Sequence, residues 1–418
     1  MAPNGEIRPD ISIIGTDPAG LEIATGAAAL GVPVALVVPD GTDPAADGEA
    51  GLQRLRSLGV EVFAGPCRFL DPRRLQVREV TLRPRRFVLA TPSHTVPPQI
   101  AGLADLDTPA IATGSAFLAI GQGRRALEAA CKARQAGAEV TLLTQGGLLP
   151  DFDPDSVRLL RIHLERTGIA VIDAPLLEGG AIIPASGTGR GARRRHKLVT
   201  ADGAASFEFD RLFVEGRAES FPEDIAPTNA GILGREGRLI LDKALTTTNR
   251  RVLAVGAASG DPDHAVNRSA QVGTALASLL FRRGSTNYPM LAVRFCPSSP
   301  AVTEIGLRED TLKPEARGHH RFHRVRLDGG GNQGAIKVIT NRKGIILGAS
   351  IVGEHPLELI PVFQLAMARE IRLEDLAGIP LPSASHAAAI GEVSRLALRD
   401  RLLTPGTGRL LRFLRVLG

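Results

Sequence analysis

Two glycine-bearing turns have the spacing with which a backbone can approach a phosphate group. The first is GTDPAG at residues 15–20, between the apolar run ISII and a helical stretch of small residues. The second is GQGRRA at residues 121–126, between AFLAI and another helical stretch. In the pattern GxGxxG/A the first glycine forms the bend, the second lets the backbone reach a pyrophosphate, and the third lets helix and strand pack. Two such turns predict two dinucleotide-type sites.

The first turn departs from this pattern at its centre. Gly15 and Gly20 keep the first and third roles, but Asp17 replaces the second glycine. The carboxylate fills space that a phosphate would use, and at a helix N-terminus it competes for the same amide donors. An aspartate there is also well suited to capping the helix without any ligand. At the end of the next strand, where a ribose-binding acid is expected, stands Val38, with Asp40 two residues further on.

The second turn keeps the pattern. Gly121, Gly123 and Ala126 lie directly between a predicted strand and a predicted helix, which is the context the motif requires. We therefore assign these three residues, together with Gly15, Asp17 and Gly20, as candidate cofactor-binding residues.

The surroundings of the second turn leave its ligand open. The ribose acid expected after the next strand is replaced by Thr144, followed by Gln145. Arg124 and Arg125 begin the helix and either meet phosphate charge or are exposed first-turn residues.

Strand-like runs alternate with helical stretches of small residues, which is typical of an α/β chain with parallel sheets. The two βαβ units comprise strands 11–15, 32–38, 116–121 and 138–144 with helices 18–30 and 124–135. Two further strand candidates, GVEVFAG and RRFVLATPS, lie between the units. Two later strands, at 211–216 and 250–260, are predicted to return to the first sheet. From Tyr288 onward, hairpin-like strands and a helix over 356–369 predict a separate α+β module.

Composition excludes several classes of protein. The 418 residues carry a net charge of +6 and only 4% aromatic residues, which argues against stacking on single-stranded nucleic acid. No apolar run reaches the length of a membrane span, and the N-terminus has no signal-peptide pattern, so we expect a cytoplasmic protein without a transmembrane segment. Cys67, Cys131 and Cys296 form neither a redox pair nor a zinc spacing, and we expect no metal site.

The order of these pieces resembles the FAD-dependent pyridine nucleotide-disulfide oxidoreductases, in particular the mercuric reductase and dihydrolipoamide dehydrogenase branch. The segments that carry the resemblance are GTDPAGLEIA, FVLATPSHTVP, IGQGRRALEAACKARQAGAEVTLL, TTTNRRVLAVGAASG, AVTEIGL, GIILGASIVGEHPLELI and LAGIPLPSASH. The resemblance implies an α/β fold with two Rossmann-like FAD/NAD(P)-binding domains and a C-terminal α+β dimerisation domain. The implied ranges are 1–110 and 231–288 for the FAD-type domain, 111–230 for the NAD(P)-type domain and 289–418 for the dimerisation domain.

The resemblance also implies site residues that this chain lacks. Residues 39–65, where the family carries its CxxxxC disulfide, contain no cysteine and lead almost directly to the next strand region. Gly256, a further candidate cofactor-binding residue, is followed by Ala257 where the family has an aspartate near the flavin. Leu381 and His386 stand where the family has its catalytic His/Glu pair, so we assign no catalytic residue.

Three basic segments have ordinary interpretations. HHRFH at 319–323 has a spacing that a metal could use, but a charged loop is favoured. GRGARRRHK at 189–197 is interpreted as a solvated hairpin tip. GRLLRFLRVLG at 408–418 predicts an amphipathic basic helix that docks on a partner subunit or an anionic membrane face, with packing in the protein's own dimer favoured.

Three hypotheses follow. In the first, the chain is a pseudoenzyme or an accessory binding protein, because the middle glycine, ribose acid, dithiol, strand-end aspartate and His/Glu pair are all missing together. In the second, FAD still binds and NAD(P)H reduces it, so that electrons pass to an acceptor other than a disulfide. In the third, the protein binds NAD(P) alone at the second turn. A homodimer is expected in each case.

Overall fold

The computed structural model divides the described part of the chain into two compact units. It describes residues 6–41, 48–98, 100, 103, 112–174, 180–183, 195–281, 288–327, 334–383, 385–403 and 415. The N-terminal unit lies within 1–96 and 217–292, and the C-terminal unit within 97–216 and 293–418.

The first 96 residues confirm the predicted first βαβ unit. Their elements are β1 (Glu6–Ile7), β2 (Ile11–Ile14), α1 (Pro18–Ala29), β3 (Val34–Val38), α2 (Gly48–Ser57), β4 (Glu61–Ala64), β5 (Cys67–Asp71), β6 (Arg74–Val77), β7 (Val80–Leu82), β8 (Arg86–Leu89) and β9 (His94–Val96). The expectation of a nearly direct passage from β3 to the next strand is wrong, because α2 forms the crossover. Its Leu52 and Leu55 are three residues apart and both are buried, so they share the helix face that packs on the core.

Residues 97–216 form a second parallel sheet beside a small antiparallel one. Their elements are β10 (Ala116–Ile120), α3 (Arg124–Gln135), β11 (Glu139–Thr144), α4 (Pro154–Arg166), β12 (Ile169–Asp173), β13 (Ala181–Ile183), β14 (His196–Val199), β15 (Ser206–Phe209) and β16 (Arg211–Val214). The parallel sheet has the order β12-β11-β10-β16, and β13-β14-β15 is antiparallel.

The structure corrects the prediction that the strand at 211–216 returns to the first sheet. This strand, β16, pairs in parallel with β10 of the second sheet instead. The residue before it explains the choice, because Asp210 donates its amide to the carbonyl of Ala116 (2.8 Å) and accepts the Ala116 amide on its carboxylate (2.7 Å). These two bonds set the register of β16 against β10.

Residues 217–292 complete the N-terminal unit. Their elements are β17 (Arg217–Glu219), β18 (Gly234–Arg235), β19 (Arg238–Leu239), β20 (Val252–Ala254), α5 (Arg268–Phe281) and α6 (Tyr288–Leu291). The main sheet has the order β20-β8-β2-β3-β4 with every pair parallel, so the predicted return of the strand near residue 252 is confirmed. The remaining strands form small sheets: β1-β7-β6-β5, β17-β9 and β18-β19.

The last part of the described chain is an antiparallel sheet with helices, as predicted. Its elements are β21 (Val293–Cys296), β22 (Ala301–Gly306), α7 (Pro314–Arg317), β23 (His320–Leu327), β24 (Gly334–Asn341), β25 (Ile346–Gly353), α8 (Pro356–Ala368) and α9 (Ala388–Leu402). The strand order is β21-β22-β25-β24-β23. Within the C-terminal unit, Val302 and Val352 of this sheet join the apolar core beneath α3 and α4.

A buried charge network connects α4 to the antiparallel sheet. The ammonium of Lys337 on β24 contacts Asp153 (2.7 Å), Asp155 (2.9 Å) and Glu309 (2.7 Å), and the lysine side chain is only 6% exposed. Burial lowers the pKa of Lys337, but the hydrogen bonds to these three carboxylates outweigh it and hold the pKa above its usual value. The buried Glu304 accepts the amide of Asp153 (2.6 Å). Burial raises the pKa of Glu304 above that of an ordinary glutamate.

Four residues of the motif HHRFH, from His320 to His323, begin strand β23, and His319 lies in the turn before it, so the motif is mostly strand rather than the charged loop that the sequence favoured. His323 points into the core, where burial lowers its pKa, and its Nε2 lies 3.3 Å from the hydroxyl of Thr340. Among the described residues, no group of three potential ligands could hold a metal. Most of the loop at 189–197 and of the predicted helix at 408–418 falls outside the described residues. No described helix has both the length and the apolar character needed to cross a bilayer.

Candidate dinucleotide sites

The first turn lies at the carboxyl end of β2, where a parallel α/β sheet places its ligand crevice. Gly15 adopts φ +104°, and a Cβ there would stand 2.1 Å from the carbonyl oxygen of Ala90. A Cβ at Gly20 would lie 2.4 Å from the Cβ of Ala90. Both glycines are therefore required by the backbone, as the first and third positions of the motif predict.

The carboxylate of Asp17 closes this turn from inside the protein. One oxygen accepts the amide of Ala19 on α1 (2.9 Å), which confirms the predicted helix cap, and the other accepts the amide of Ala257 (3.0 Å). Pro18, which lies between Asp17 and Ala19 in the chain, has no backbone N–H to donate. A carboxylate thus holds amide donors of the kind that a helix N-terminus presents to an anion.

The turn after β20 is built around the same carboxylate. Gly256 adopts φ +62°, and a Cβ there would lie 2.0 Å from an oxygen of Asp17. The amide of Gly256 donates to the side chain of Gln271 (2.7 Å), which is fully buried. The amides of Ala19, Gly256 and Ala257 in this crevice are therefore bonded to the protein's own side chains.

The second turn is closed in the same way by Glu215. Its carboxylate accepts the amides of Gly123 (2.7 Å) and Arg125 (3.1 Å) at the start of α3. A Cβ at Gly121 or at Gly123 would come within 2.6 Å of Glu215 side-chain atoms. The glycines thus create the cradle that the motif predicts, and a glutamate side chain fills it.

Glu215 was not among the residues predicted from the sequence. It follows β16 directly, and its amide donates to the carbonyl of Ile120 at the end of β10 (2.8 Å), beside the second turn. Because the strand at 211–216 was predicted to return to the first sheet, Glu215 was not expected beside the second turn. The aspartate before the strand pairs β16 with β10, but it does so through the distant Ala116, so the sequence around Glu215 carried no signal for this position.

A third carboxylate closes the loop where the ribose acid was expected. Thr144 is buried, and its hydroxyl donates to Asp173 (3.2 Å), its partner residue on β12. The same carboxylate oxygen accepts the amides of Gly146 (3.0 Å) and Gly147 (3.3 Å). The guanidinium of Arg124 donates to the carbonyl of Phe295 (3.1 Å), so this arginine, one of the two that begin α3, holds β21.

Two of the three thiols are buried, and the histidine of the C-terminal loop lies at the surface. Cys67 and Cys296 are buried, and burial, with a contribution from Asp40, raises the pKa of Cys67 to about 11. A thiol with such a pKa is protonated near neutrality. His386 is exposed and its ring centroid lies 5.9 Å from that of His355.

Comparison with known proteins decides the family. The profile of the family described as Pyridine nucleotide-disulphide oxidoreductase matches residues 47–272, more than half of the chain. The chain belongs to this family. Its two βαβ units and the carboxylate-closed turns are therefore a variant of the fold of the pyridine nucleotide-disulphide oxidoreductases.

Individual members of the pyridine nucleotide-disulphide oxidoreductase family are distant from this chain. A mercuric reductase of Staphylococcus aureus is 22% identical over 85% of the chain and 66% of its own length. A mercuric reductase of Bacillus cereus is 22% identical over 76% of the chain and 52% of its own length. A dihydrolipoyl dehydrogenase of Pseudomonas aeruginosa is 25% identical over 83% of the chain and 77% of its own length. The chain therefore spans just under two thirds of the length of the first of these mercuric reductases and about half of the second.

Among solved structures, the fold matches an HOCl-induced flavoprotein disulfide reductase, RclA, of Escherichia coli. Its Cu(II) complex superposes with a TM-score of 0.74 and 19% identity, covering 93% of this chain and 99% of that one. A second structure of the same protein gives a TM-score of 0.73 with 18% identity. This likeness agrees with the mixed α/β architecture that the sequence predicted.

Proposed function

We propose that this protein is a non-catalytic member of its family, an accessory or binding protein built on the reductase fold. The observation that carries the proposal is that both dinucleotide turns are filled by carboxylates of the chain itself, Asp17 in the first and Glu215 in the second. A pyrophosphate entering either turn would have to displace a negative charge and compete for amides already bonded. The residues of the first turn therefore do not fit the diphosphate of FAD, and the proposed function includes no chemical step on a flavin.

The redox thiols and the catalytic base that the family resemblance implies also have no counterpart at the matching positions. Residues 39–65 contain no cysteine, and the nearest thiol, Cys67, is buried with a raised pKa. Thiol–disulfide exchange needs an accessible thiolate, so this route is closed to the described thiols. Leu381, at the position implied for a catalytic base, cannot carry a proton. Because function depends on the site and not on the fold, a reductase fold without redox thiols and a catalytic base favours a binding role over catalysis.

The test is the cofactor content of the purified full-length protein. We expect no absorbance in the flavin bands, either as purified or after incubation with excess FAD and removal of unbound cofactor. A related flavoprotein that binds FAD, passed through the same steps, is the positive control. Stoichiometric flavin in this protein would refute the proposal.

A second candidate function is a flavin-dependent NAD(P)H oxidoreductase that reduces an acceptor other than a disulfide. The observation that favours it is the backbone of the first turn, where Gly15 and Gly20 still fit closely against Ala90. Hydride transfer requires both cofactors in register but no cysteine. Flavin absorbance that is bleached by NADH or NADPH would establish this function in place of the first.

Glu215→Ala is expected to create or strengthen binding of NAD(P) at the second turn. The substitution releases the amides of Gly123 and Arg125 and removes a negative charge that would repel the phosphates of the nucleotide. Because juxtaposed like charges cost several kcal/mol, we expect the affinity for NADH or NADPH to rise by at least about 100-fold. Isothermal titration of both nucleotides into wild-type and variant measures it. Glu139→Ala, an exposed glutamate of the same unit, is the control and is expected to leave affinity unchanged.

The outcome of this titration also separates the remaining hypotheses. Tight binding of NADH or NADPH by the wild-type protein, equal to that of the Glu215 variant, would contradict the closed second turn and favour the nucleotide-sensor hypothesis. Binding by neither protein would show that Glu215 is not the obstacle.

We further propose that the chain forms a homodimer in the cytoplasm through its C-terminal α+β module. Helix α8 supports this proposal, because it leaves Val362 and Leu365 exposed, the latter at 60%. Apolar side chains of this kind are covered in an isologous dimer. Light scattering is expected to give twice the 44.1 kDa of one chain, and substitution of both residues by glutamate should give the monomer mass.

A further inference from the structure

Two arginine pairs lie at the start of two neighbouring strands of the N-terminal unit, β8 and β20. The segments RRFVLA and RRVLAV begin at Arg85 and Arg250. Strand β20 pairs in parallel with β8 in register, so the two pairs meet at the same, amino-terminal edge of the sheet. Neither pair is used by the first dinucleotide turn, which lies at the opposite, carboxyl-terminal edge of this sheet.

The arginines hold one another through backbone carbonyls. A guanidinium nitrogen of Arg86 donates to the carbonyl of Arg250, and one of Arg251 donates to the carbonyl of Arg85 (3.2 Å). The crossed arrangement therefore positions the guanidinium groups of Arg86 and Arg251 at this edge of the sheet.

These four arginines line a cavity of about 430 Å³, with Leu279 of α5 as its apolar wall. Among the described residues that line it, none is acidic or aromatic. One of the four, Arg85, pairs with Asp10 at 3.2 Å on the exposed surface. Four guanidinium groups around one concavity repel one another, and an anion bound between them would relieve that repulsion.

We propose that this arginine pocket, defined by Arg85, Arg86, Arg250 and Arg251, binds a small polyanion that carries two or more linked phosphate groups. Guanidinium forks match phosphate oxygens with two parallel hydrogen bonds, and several such forks suit a chain of phosphates better than a single one. The described lining residues include no aromatic side chain on which a nucleobase would stack. Recognition is therefore directed at the phosphate chain.

The test is isothermal titration of the full-length protein with tripolyphosphate, pyrophosphate and orthophosphate. We expect one site whose affinity rises with the number of phosphates and falls as salt is raised. The double variant Arg85→Gln/Arg250→Gln, which changes two exposed side chains, should weaken tripolyphosphate binding by at least about tenfold, since charge-assisted bonds are the strong ones. Arg56→Gln/Arg158→Gln, an equal change of charge at exposed arginines elsewhere, should change it less than about twofold.

Several results would overturn the proposal. They are absence of binding by all three anions, an equal loss in the control variant, and unchanged binding in the Arg85/Arg250 variant with an unchanged melting temperature. Titration with ATP tests whether the pocket also recognises a nucleoside. An affinity for ATP equal to that for tripolyphosphate supports recognition of the phosphates alone, and much tighter binding of ATP contradicts it. Tighter binding of a short single-stranded DNA than of tripolyphosphate would likewise contradict a small-polyanion site. None of these outcomes depends on whether Asp17 or Glu215 excludes a dinucleotide.

Discussion

Asp17→Gly is expected to bind FAD at least about 100-fold more tightly than the wild-type protein. The substitution restores the middle glycine of the first turn and releases the amides of Ala19 and Ala257, to which the carboxylate is now bonded at 2.9 and 3.0 Å. It also removes a negative charge from the position of a diphosphate. Juxtaposed like charges cost several kcal/mol, and each 1.4 kcal/mol is about tenfold in affinity.

The measurement is flavin absorbance and fluorescence quenching on titration with FAD. Asp17→Asn is the matched control for charge, because it keeps the size of the side chain and an oxygen that can cap α1. If charge is the main obstacle, the asparagine variant recovers most of the gain, whereas a steric obstacle leaves it close to wild-type. Loss of the helix cap is expected to lower stability by only about a few tenths of a kcal/mol in the glycine variant, because glycine is itself tolerated at an N-cap, and thermal melting measures this loss separately. Equal FAD affinity in wild-type and glycine variant would disprove the role assigned to Asp17.

Lys337→Met is expected to lower the free energy of unfolding by about 3–5 kcal/mol. The ammonium is shared by Asp153, Asp155 and Glu309, at 2.7, 2.9 and 2.7 Å. Asp153 is 2% exposed, so its carboxylate cannot turn to water when the lysine is removed. Breaking a buried pair by removing one partner leaves an uncompensated charge, which costs more than the pair itself contributes.

The change is measured as a shift of the thermal or urea midpoint of the full-length protein. Lys132→Met is the matched control, because that lysine pairs with Glu128 at 2.6 Å but is 70% exposed, and surface pairs contribute about 0–1 kcal/mol. A second variant, Lys337→Met combined with Asp153→Asn, should recover part of the loss, since it removes one unpaired charge. Equal effects at Lys337 and Lys132 would show that the buried network is not a stabilising feature.

The local elements were predictable where the chain's own periodicity specifies them. Strand β2, helix α1 and strand β3 follow from apolar runs around one glycine turn, and α3 begins and ends at the predicted Arg124 and Gln135. The cap formed by Asp17 was also predictable, because a helix N-cap depends on residues within one turn of each other. Helix α2 was not predicted because only Leu52 and Leu55 mark its buried face in an otherwise polar stretch.

The sequence by itself determined the family fold, the two glycine turns, the acid in the first of them and the lack of a dithiol, because each of these depends on residue types at short, fixed spacing. Only the tertiary structure decided that Glu215 fills the second turn and that two arginine pairs form one pocket. Glu215 lies 92 residues from Gly123 in the chain. Strand pairing brings such distant groups together, and the choice of neighbouring strand is made by contacts such as that of Asp210 with Ala116, which local sequence patterns do not encode.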